Sequence, residues 1–224
     1  NCGGCGYAGC EAYAIAVLNN PEVPPSLCVA GGVEVANAVA ALSGKASGCA
    51  EPNIAFRRCE RVEGNVRPRY EYRGIDSCAA AAAVDNGPFK CSWSCLGLGD
   101  CEKACPFDAV HMIGSLAVVD AEKCTGCGMC VKTCPRQVLE LVPKRGRIRI
   151  HCATRAKLKA VKEVCDVGCI SCARCVKKCP AKALSLDSGR LEINHELCLA
   201  YGQSCEEICV QDCPRKILRL AKPC

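Results

Sequence analysis

Cys124-Thr125-Gly126-Cys127-Gly128-Met129-Cys130-Val131-Lys132-Thr133-Cys134-Pro135 carries the C-x2-C-x2-C-x3-C-P spacing of bacterial 4Fe–4S ferredoxins. Three thiolates two residues apart wrap one face of a cubane. The fourth, carried off by the Pro-bounded turn, ligates a neighbouring cluster, so such runs come in pairs. The supply of ligands is ample, since 26 of the 224 residues are Cys. A disulfide framework is usually short and secreted and does not space its cysteines this way. Zinc prefers two separated C-x2-C knuckles per site. The spacing therefore predicts one-electron transfer through several 4Fe–4S clusters in a reducing, anaerobic setting.

Composition agrees. The hydrophobic fraction of 50% includes the cysteines and aromatics are only 4%, so a conventional core is thin and small modules need staples. The formal charge is 29 − 23 = +6 with cysteines neutral. A 4Fe–4S core with four thiolates brings roughly −2, so five would carry the loaded protein to about −4, which argues against nucleic acid as a partner. The sequence contains no signal peptide and no run of 18 apolar residues. Val110 to Val119, the longest candidate, is interrupted by His111 and Gly114. The chain starts at Asn1 with no Met, directly on a motif, so an upstream segment is expected to be missing from it.

Four regions are expected, in an α+β chain. Residues 1–45 hold Cys2-x2-Cys5-x4-Cys10-x17-Cys28, with a helix from Glu11 to Leu18 and another from Val33 to Leu42 ended by Gly44. They read as a small helical domain with one cluster. Residues 46–84 read as an Arg-rich connector, containing a short helix over Ala79–Ala83. Residues 85–150 and 151–224 read as two tandem bacterial-type two-cluster ferredoxin modules, because the sequence repeats. Cys78, Cys91, Cys95, Cys101, Cys105 and Cys124 recur 74 residues later as Cys152, Cys165, Cys169, Cys175, Cys179 and Cys198; Cys127, Cys130 and Cys134 correspond to Cys205, Cys209 and Cys213 at offsets of 78, 79 and 79. Leu116–Val119, Val138–Leu141 and Arg147–Ile150 read as short hairpin strands, as do Ala183–Leu186 and Arg190–Ile193.

The crossed rule assigns five ligand sets. The first is Cys2, Cys5, Cys10 and Cys28. The second is Cys91, Cys95, Cys101 and Cys134, and the third Cys124, Cys127, Cys130 and Cys105. The fourth is Cys169, Cys172, Cys175 and Cys213, and the fifth, with its loose x6 and x3 spacing, Cys198, Cys205, Cys209 and Cys179. Leu98 stands opposite Cys172, and Cys91 is read as the substitute. Cys49, Cys59, Cys78, Cys152, Cys165 and Cys224 remain. They are buried free thiols, or Cys59, Cys78, Cys152 and Cys165 hold a sixth cluster, or ligands exchange among the sets. Trp93 reads as a cover over a cluster. His111, His151 and His195 read as surface or hairpin residues, because no pair has the spacing of a Rieske site. The basic series Lys144, Arg145, Arg147, Arg149, Arg155, Lys157, Lys159 and Lys162 is either solvated surface or a docking face for an acidic ferredoxin.

The opening Asn1-Cys2-Gly3-Gly4-Cys5-Gly6-Tyr7-x2-Cys10, with Cys28 and Gly31-Gly32, resembles the iron–sulfur domain of the B subunit of the Rnf complex. The likeness continues in Cys95-Leu96-Gly97-Leu98-Gly99-Asp100-Cys101, Cys105-Pro106-Phe107-Asp108-Ala109 and Glu122-Lys123-Cys124-Thr125-Gly126-Cys127-Gly128, and looks like the long, polyferredoxin type. That resemblance implies a subunit of a membrane-bound, ion-translocating ferredoxin:NAD⁺ oxidoreductase at the cytoplasmic face of the bacterial inner membrane. It implies electrons taken from reduced ferredoxin and passed to membrane and NAD-reducing subunits, and anchorage by an N-terminal helix lacking here. The chain has no G-x-G-x-x-G after a strand and no P-loop, so it is expected to carry no complete active site. The alternative is a soluble polyferredoxin serving a hydrogenase or heterodisulfide reductase. A corrinoid-linked iron–sulfur protein is suggested only by the first 28 residues.

Overall fold

The computed structural model describes residues 1–46, 48 and 51–221; Cys49 and Cys224 lie outside them. It is a mixed helix and strand structure of short elements. Helix α1 (Cys10–Asn19) and helix α2 (Gly32–Ser43) form the N-terminal part. Gly44 ends α2 in the left-handed conformation. Between the helices the Asn20–Leu27 turn folds back, and the Tyr13 hydroxyl donates to the Pro24 and Pro25 carbonyls at 3.0 and 2.7 Å. Tyr13, Val17 and Val23 are the buried core of this part. Lys45 Nζ donates to the Asn20 and Val23 carbonyls at 2.7 and 2.9 Å, which ties the end of α2 to the turn after α1.

Strand β1 (Asn53–Arg57) lies inside the expected connector. It is followed by α3 (Cys78–Ala83), α4 (Asp100–Lys103), the hairpin β2 (Val110–Ile113) and β3 (Leu116–Val119), α5 (Met129–Thr133) and β4 (Leu139–Pro143). The second half has β5 (Ile148–Ile150), α6 (Leu158–Val164), α7 (Arg174–Lys178), the hairpin β6 (Leu184–Ser185) and β7 (Glu192–Ile193), α8 (His195–Tyr201), α9 (Ile208–Gln211) and β8 (Leu218–Leu220).

The pairing of these strands departs from the sequence reading. Arg147–Ile150 forms no hairpin with Val138–Leu141. Instead β5 pairs antiparallel with β8, Ile150 opposite Leu218. Strand β4 pairs antiparallel with β1, Arg57 opposite Leu139. The two ladders correspond in register, since 150 − 57 = 93 and 218 − 139 = 79. Each copy thus opens and closes with strands that pair with each other. The first strand of copy one is hidden in the sequence because residues between Cys59 and Cys91 outnumber those between Cys152 and Cys165 by 93 − 74 = 19.

Two-stranded ladders are marginal alone, so they must pack on something. In copy two Ile148, Ile150, Leu184, Leu191, Ile217 and Leu218 are buried together with Cys175 and Cys209. In copy one Ala55, Val110, Ala117 and Leu139 are buried with Cys101 and Cys130. The cysteines are inside the cores, and each ladder lies against thiols.

The approach of β1 to the Cys124 run is very close. The Ala55 amide donates to Cys124 Sγ at 3.3 Å. Gly126 adopts φ +72°, and a Cβ there would press on the Asn53 carbonyl. We expect Gly126→Ala to cost about 1–3 kcal/mol, read as a fall in thermal midpoint of the anaerobically loaded chain. An unchanged midpoint would mean that β1 does not lie against this run.

Candidate metal centres

All 24 described cysteines are free, and sixteen of them line four cavities in groups of four. Copy one brings Cys105, Cys124, Cys127 and Cys130 together around the start of α5. Burial pushes the Cys130 thiol up to about 12, and the neighbouring Cys124, Cys127 and Cys105 thiols add to the rise. A separate cavity is lined by Cys78, Cys95, Cys101 and Cys134, closed by Leu96, Met112 and Leu139. Cys101 rises to about 12 there, through burial and then its Cys95, Cys134 and Cys78 neighbours. Cys78, not Cys91, is therefore the residue brought to Cys95, Cys101 and Cys134.

Helix α3 delivers it. The Asp100 carboxylate accepts from Ser77 Oγ at 2.9 Å and from the Ala79 amide at 3.0 Å. Although burial opposes its charge, these bonds and one from the Cys78 amide hold the Asp100 carboxyl below its usual value. The acid beside Cys101 thus pins the helix whose first residue is Cys78.

In copy two, Cys169, Cys172, Cys175 and Cys213 line one cavity with Leu186, Leu191 and Ile217. Cys175 is pushed to about 12 by burial, then by Cys169 and Cys213. Cys179, Cys198, Cys205 and Cys209 line another with Ile148, Leu184 and Tyr201. Cys209 rises to about 11 through burial and the other three thiols. The irregular spacing there is absorbed by a 3-10 turn over Gly202–Cys205 and by left-handed Glu206 and Glu207. At the N-terminus, Asn1 Oδ1 accepts from the Cys10 amide at 2.9 Å, closing the loop that carries Cys2 and Cys5. Cys5 and Cys28 pack on the Tyr13 core.

The remaining four form a set that the sequence reading does not combine. Cys59, Cys91, Cys152 and Cys165 line one cavity with Arg58, Arg61, Trp93 and His151. Burial pushes Cys59 up to about 12 and Cys91 to about 11. The sequence holds a weak signal of it, because Cys165 is the repeat counterpart of Cys91. The counterpart of Cys152 in this arrangement is Cys59, 93 residues earlier, and the insertion hides it.

These sets suit iron–sulfur clusters chemically. A cubane binds one thiolate per iron at four corners. Among the described residues, no three His, Cys, Asp or Glu side chains converge as a single ion would require; the thiols surround spaces.

Trp93 covers the cavity of Cys59 and Cys91. His151 Nδ1 meets the Glu60 carboxylate at 2.6 Å, whose pKa is lowered to about 2 by that bond, against burial, and by His151, Arg219 and Arg57. His195 is half buried, its pKa lowered by burial and then by Arg149; it is not a surface residue. Part of the basic series is neutralised, with Lys144 on Glu122 at 3.1 Å, Arg145 on Glu51 and Arg147 on Glu207. Arg155, Lys157, Lys159 and Lys162, in and before α6, are exposed.

The family described as "4Fe-4S dicluster domain" matches residues 123–183, and "Putative Fe-S cluster" matches residues 1–30. The first match spans the two regular runs, Cys124–Cys134 and Cys169–Cys179, which the structure places in different copies. Across 215 residues the chain is 45% identical to the B subunit of the proton-translocating ferredoxin:NAD(+) oxidoreductase complex of Clostridium ljungdahlii, covering 95% of this chain and 74% of that protein. It is 38% identical to the B subunit of the ion-translocating oxidoreductase complex of Methanosarcina acetivorans, over 98% of this chain and 81% of the relative. It is 36% identical to the B subunit of the Na(+)-translocating ferredoxin:NAD(+) oxidoreductase complex of Acetobacterium woodii, over 96% and 63%.

Proposed function

Because the chain belongs to the family of B subunits of ion-translocating ferredoxin:NAD(+) oxidoreductase complexes, the Rnf type, we propose that it relays single electrons from reduced ferredoxin toward the other subunits of such a complex. The observation that carries this reading is the gathering of sixteen thiols, four at a time, around four cavities. When bound, a 4Fe–4S cluster supplies reversible one-electron exchange.

The chain's own residues would do the rest. Cys2, Cys5, Cys10 and Cys28 would hold one cluster; Cys105, Cys124, Cys127 and Cys130 a second; Cys78, Cys95, Cys101 and Cys134 a third. Cys169, Cys172, Cys175 and Cys213 would hold a fourth, and Cys179, Cys198, Cys205 and Cys209 a fifth. Apolar walls such as Leu186, Leu191 and Ile217 exclude water, and amide donors such as those of Ala55 and Ala109 reach Cys124 and Cys105 sulfur at 3.3 and 3.4 Å. Both effects set a cluster's potential. The two copies act as tandem two-cluster ferredoxin units.

NAD chemistry and ion movement are assigned to partner subunits. Among the described residues no helix is long and apolar enough to cross a membrane, so attachment at the cytoplasmic face would come from outside them. For ferredoxin we favour the exposed Arg155, Lys157, Lys159 and Lys162 face, since an acidic carrier docks faster on basic charge presented to solvent. The test is metal content after strictly anaerobic purification. We expect at least about 20 irons per chain, four for each of five sets, with equal acid-labile sulfide. Stoichiometric zinc with little sulfide would overturn the reading.

A further inference from the structure

We infer that Cys59, Cys91, Cys152 and Cys165 hold a sixth 4Fe–4S cluster, shared between the two copies and forming the link between them. The inference rests on the proposed function and extends it to a site of different construction. The other five sets each take all four thiols from one part of the chain. Here two come from copy one and two from copy two.

The site is symmetric about the junction. Cys59 and Cys152 form an antiparallel β-bridge with each other. Each follows the first strand of its copy, β1 or β5. Each sulfur accepts a backbone amide from its own copy, Cys59 from Cys95 at 3.4 Å and Cys152 from Cys169 at 3.2 Å. The other two ligands, Cys91 and Cys165, are repeat counterparts. An arginine after the Cys-Pro of each copy anchors the backbone beside each one. Arg136 donates to the Ser92 carbonyl at 2.7 Å, and Arg215 to the Cys165 carbonyl at 2.8 Å.

The wall also fits an anion. Arg58 and Arg61 are 2% and 6% exposed and line this cavity. Arg61 donates to the Cys95 and Ser115 carbonyls at 2.8 and 2.7 Å and stacks on Phe89 at 4.4 Å. Arg58 is already paired with the Glu140 carboxylate at 2.9 Å, whereas Arg61, bonded to carbonyls, gains from negative charge nearby, which a thiolate-ligated cluster supplies.

The same contacts order the sites. Cys95 belongs to the Cys78 set and reaches Cys59; Cys169 belongs to the Cys172 set and reaches Cys152. The junction therefore lies between those two sets. At the other side of copy one, a Cβ on Gly4 would stand 2.9 Å from the Cβ of Cys127, so the Cys2–Cys5 loop abuts the Cys124 set. Helix α7 carries Cys175 and ends on its C-cap Cys179, which belong to the last two sets. The six sets form a single file in which the junction is fourth, the N-terminal set being first. Passage along it moves one electron from a reduced core to its oxidised neighbour, with no bond made or broken and no proton transferred.

The experiment compares the full wild-type chain with a Cys91→Ser/Cys165→Ser variant, both purified anaerobically. Iron, sulfide and zinc are counted, and spins per chain are integrated by electron paramagnetic resonance after dithionite reduction. The wild type is expected to hold about 24 irons and the variant about 20. The variant should also lose magnetic broadening between the copies. Equal iron in both chains would overturn the assignment. So would a wild type holding about 20 irons, or about 20 irons and one zinc; either would leave the proposed function standing. If the variant loses more than one cluster through misfolding, the wild-type count decides. Little iron and sulfide in the wild type would overturn both readings.

Discussion

Stripping iron from the loaded chain with a chelator under mild oxidation is expected to collapse most of its structure. The reason lies in what the cores are made of. Cys175 and Cys209 are buried among Ile148, Ile150, Leu184, Leu191, Ile217 and Leu218, and Cys101 and Cys130 among Ala55, Val110 and Leu139. The ladders that pack there have two strands each, too few to stand alone. Helices α4, α5, α7 and α9 are four or five residues long, far short of what a free helix needs. Bonds from iron to several thiolates must supply the missing free energy, as structural metal does in other small modules. Far-UV circular dichroism followed during chelation is expected to lose most of its signal, together with the visible cluster absorbance. Native dichroism in an iron-free chain would show that packing alone suffices.

Truncating Arg58 is expected to give the largest loss of stability among single non-cysteine substitutions. Its guanidinium is 2% exposed and joins three elements. Nε donates to the Cys152 carbonyl at 3.1 Å, Nη1 to the Glu140 carboxylate at 2.9 Å, and Nη2 to the Leu191 carbonyl. Arg58→Met fills similar volume but leaves two carbonyls and part of a carboxylate without a donor. Arg190 still reaches Glu140, at 3.5 Å, so the acid is not wholly abandoned. Breaking a buried pair of this kind costs about 3–5 kcal/mol. In a chain of this length that lowers the thermal midpoint on the order of 10 °C. Anaerobic thermal unfolding of Arg58→Met against Arg58→Lys measures it, the lysine recovering part of the loss. A shift within error would mean that the copies are held together without this residue.

What can be read from the chain is whatever depends on near neighbours. The Cys124 run, the helices from Cys10 and Gly32 and the alanine helix at Cys78 are local patterns of spacing and propensity. Pairing of β5 with β8 is not local. Its partner lies some seventy residues on, and Val138–Leu141 offers a nearer, equally alternating strand. The exchange of Cys78 for Cys91 has the same origin. Repeat arithmetic shows that a ligand is missing opposite Cys172, but not which distant thiol fills the gap. That choice is made by Asp100, which holds the start of α3 against Cys101. Cys59 is hidden by the 19-residue insertion in copy one, although its strand aligns residue for residue with the one before Cys152.

The antiparallel bridge between Cys59 and Cys152 has a consequence for how the chain came to be one chain. Two thiols per copy make half a pocket, and half a pocket closes only against another half. A single copy would need a second molecule to complete it, at the mercy of concentration. Joined through the four residues 144–147 between β4 and β5, each half meets its complement at the millimolar local concentration of a short tether. The duplicated protein is, in that sense, a dimer that cannot dissociate.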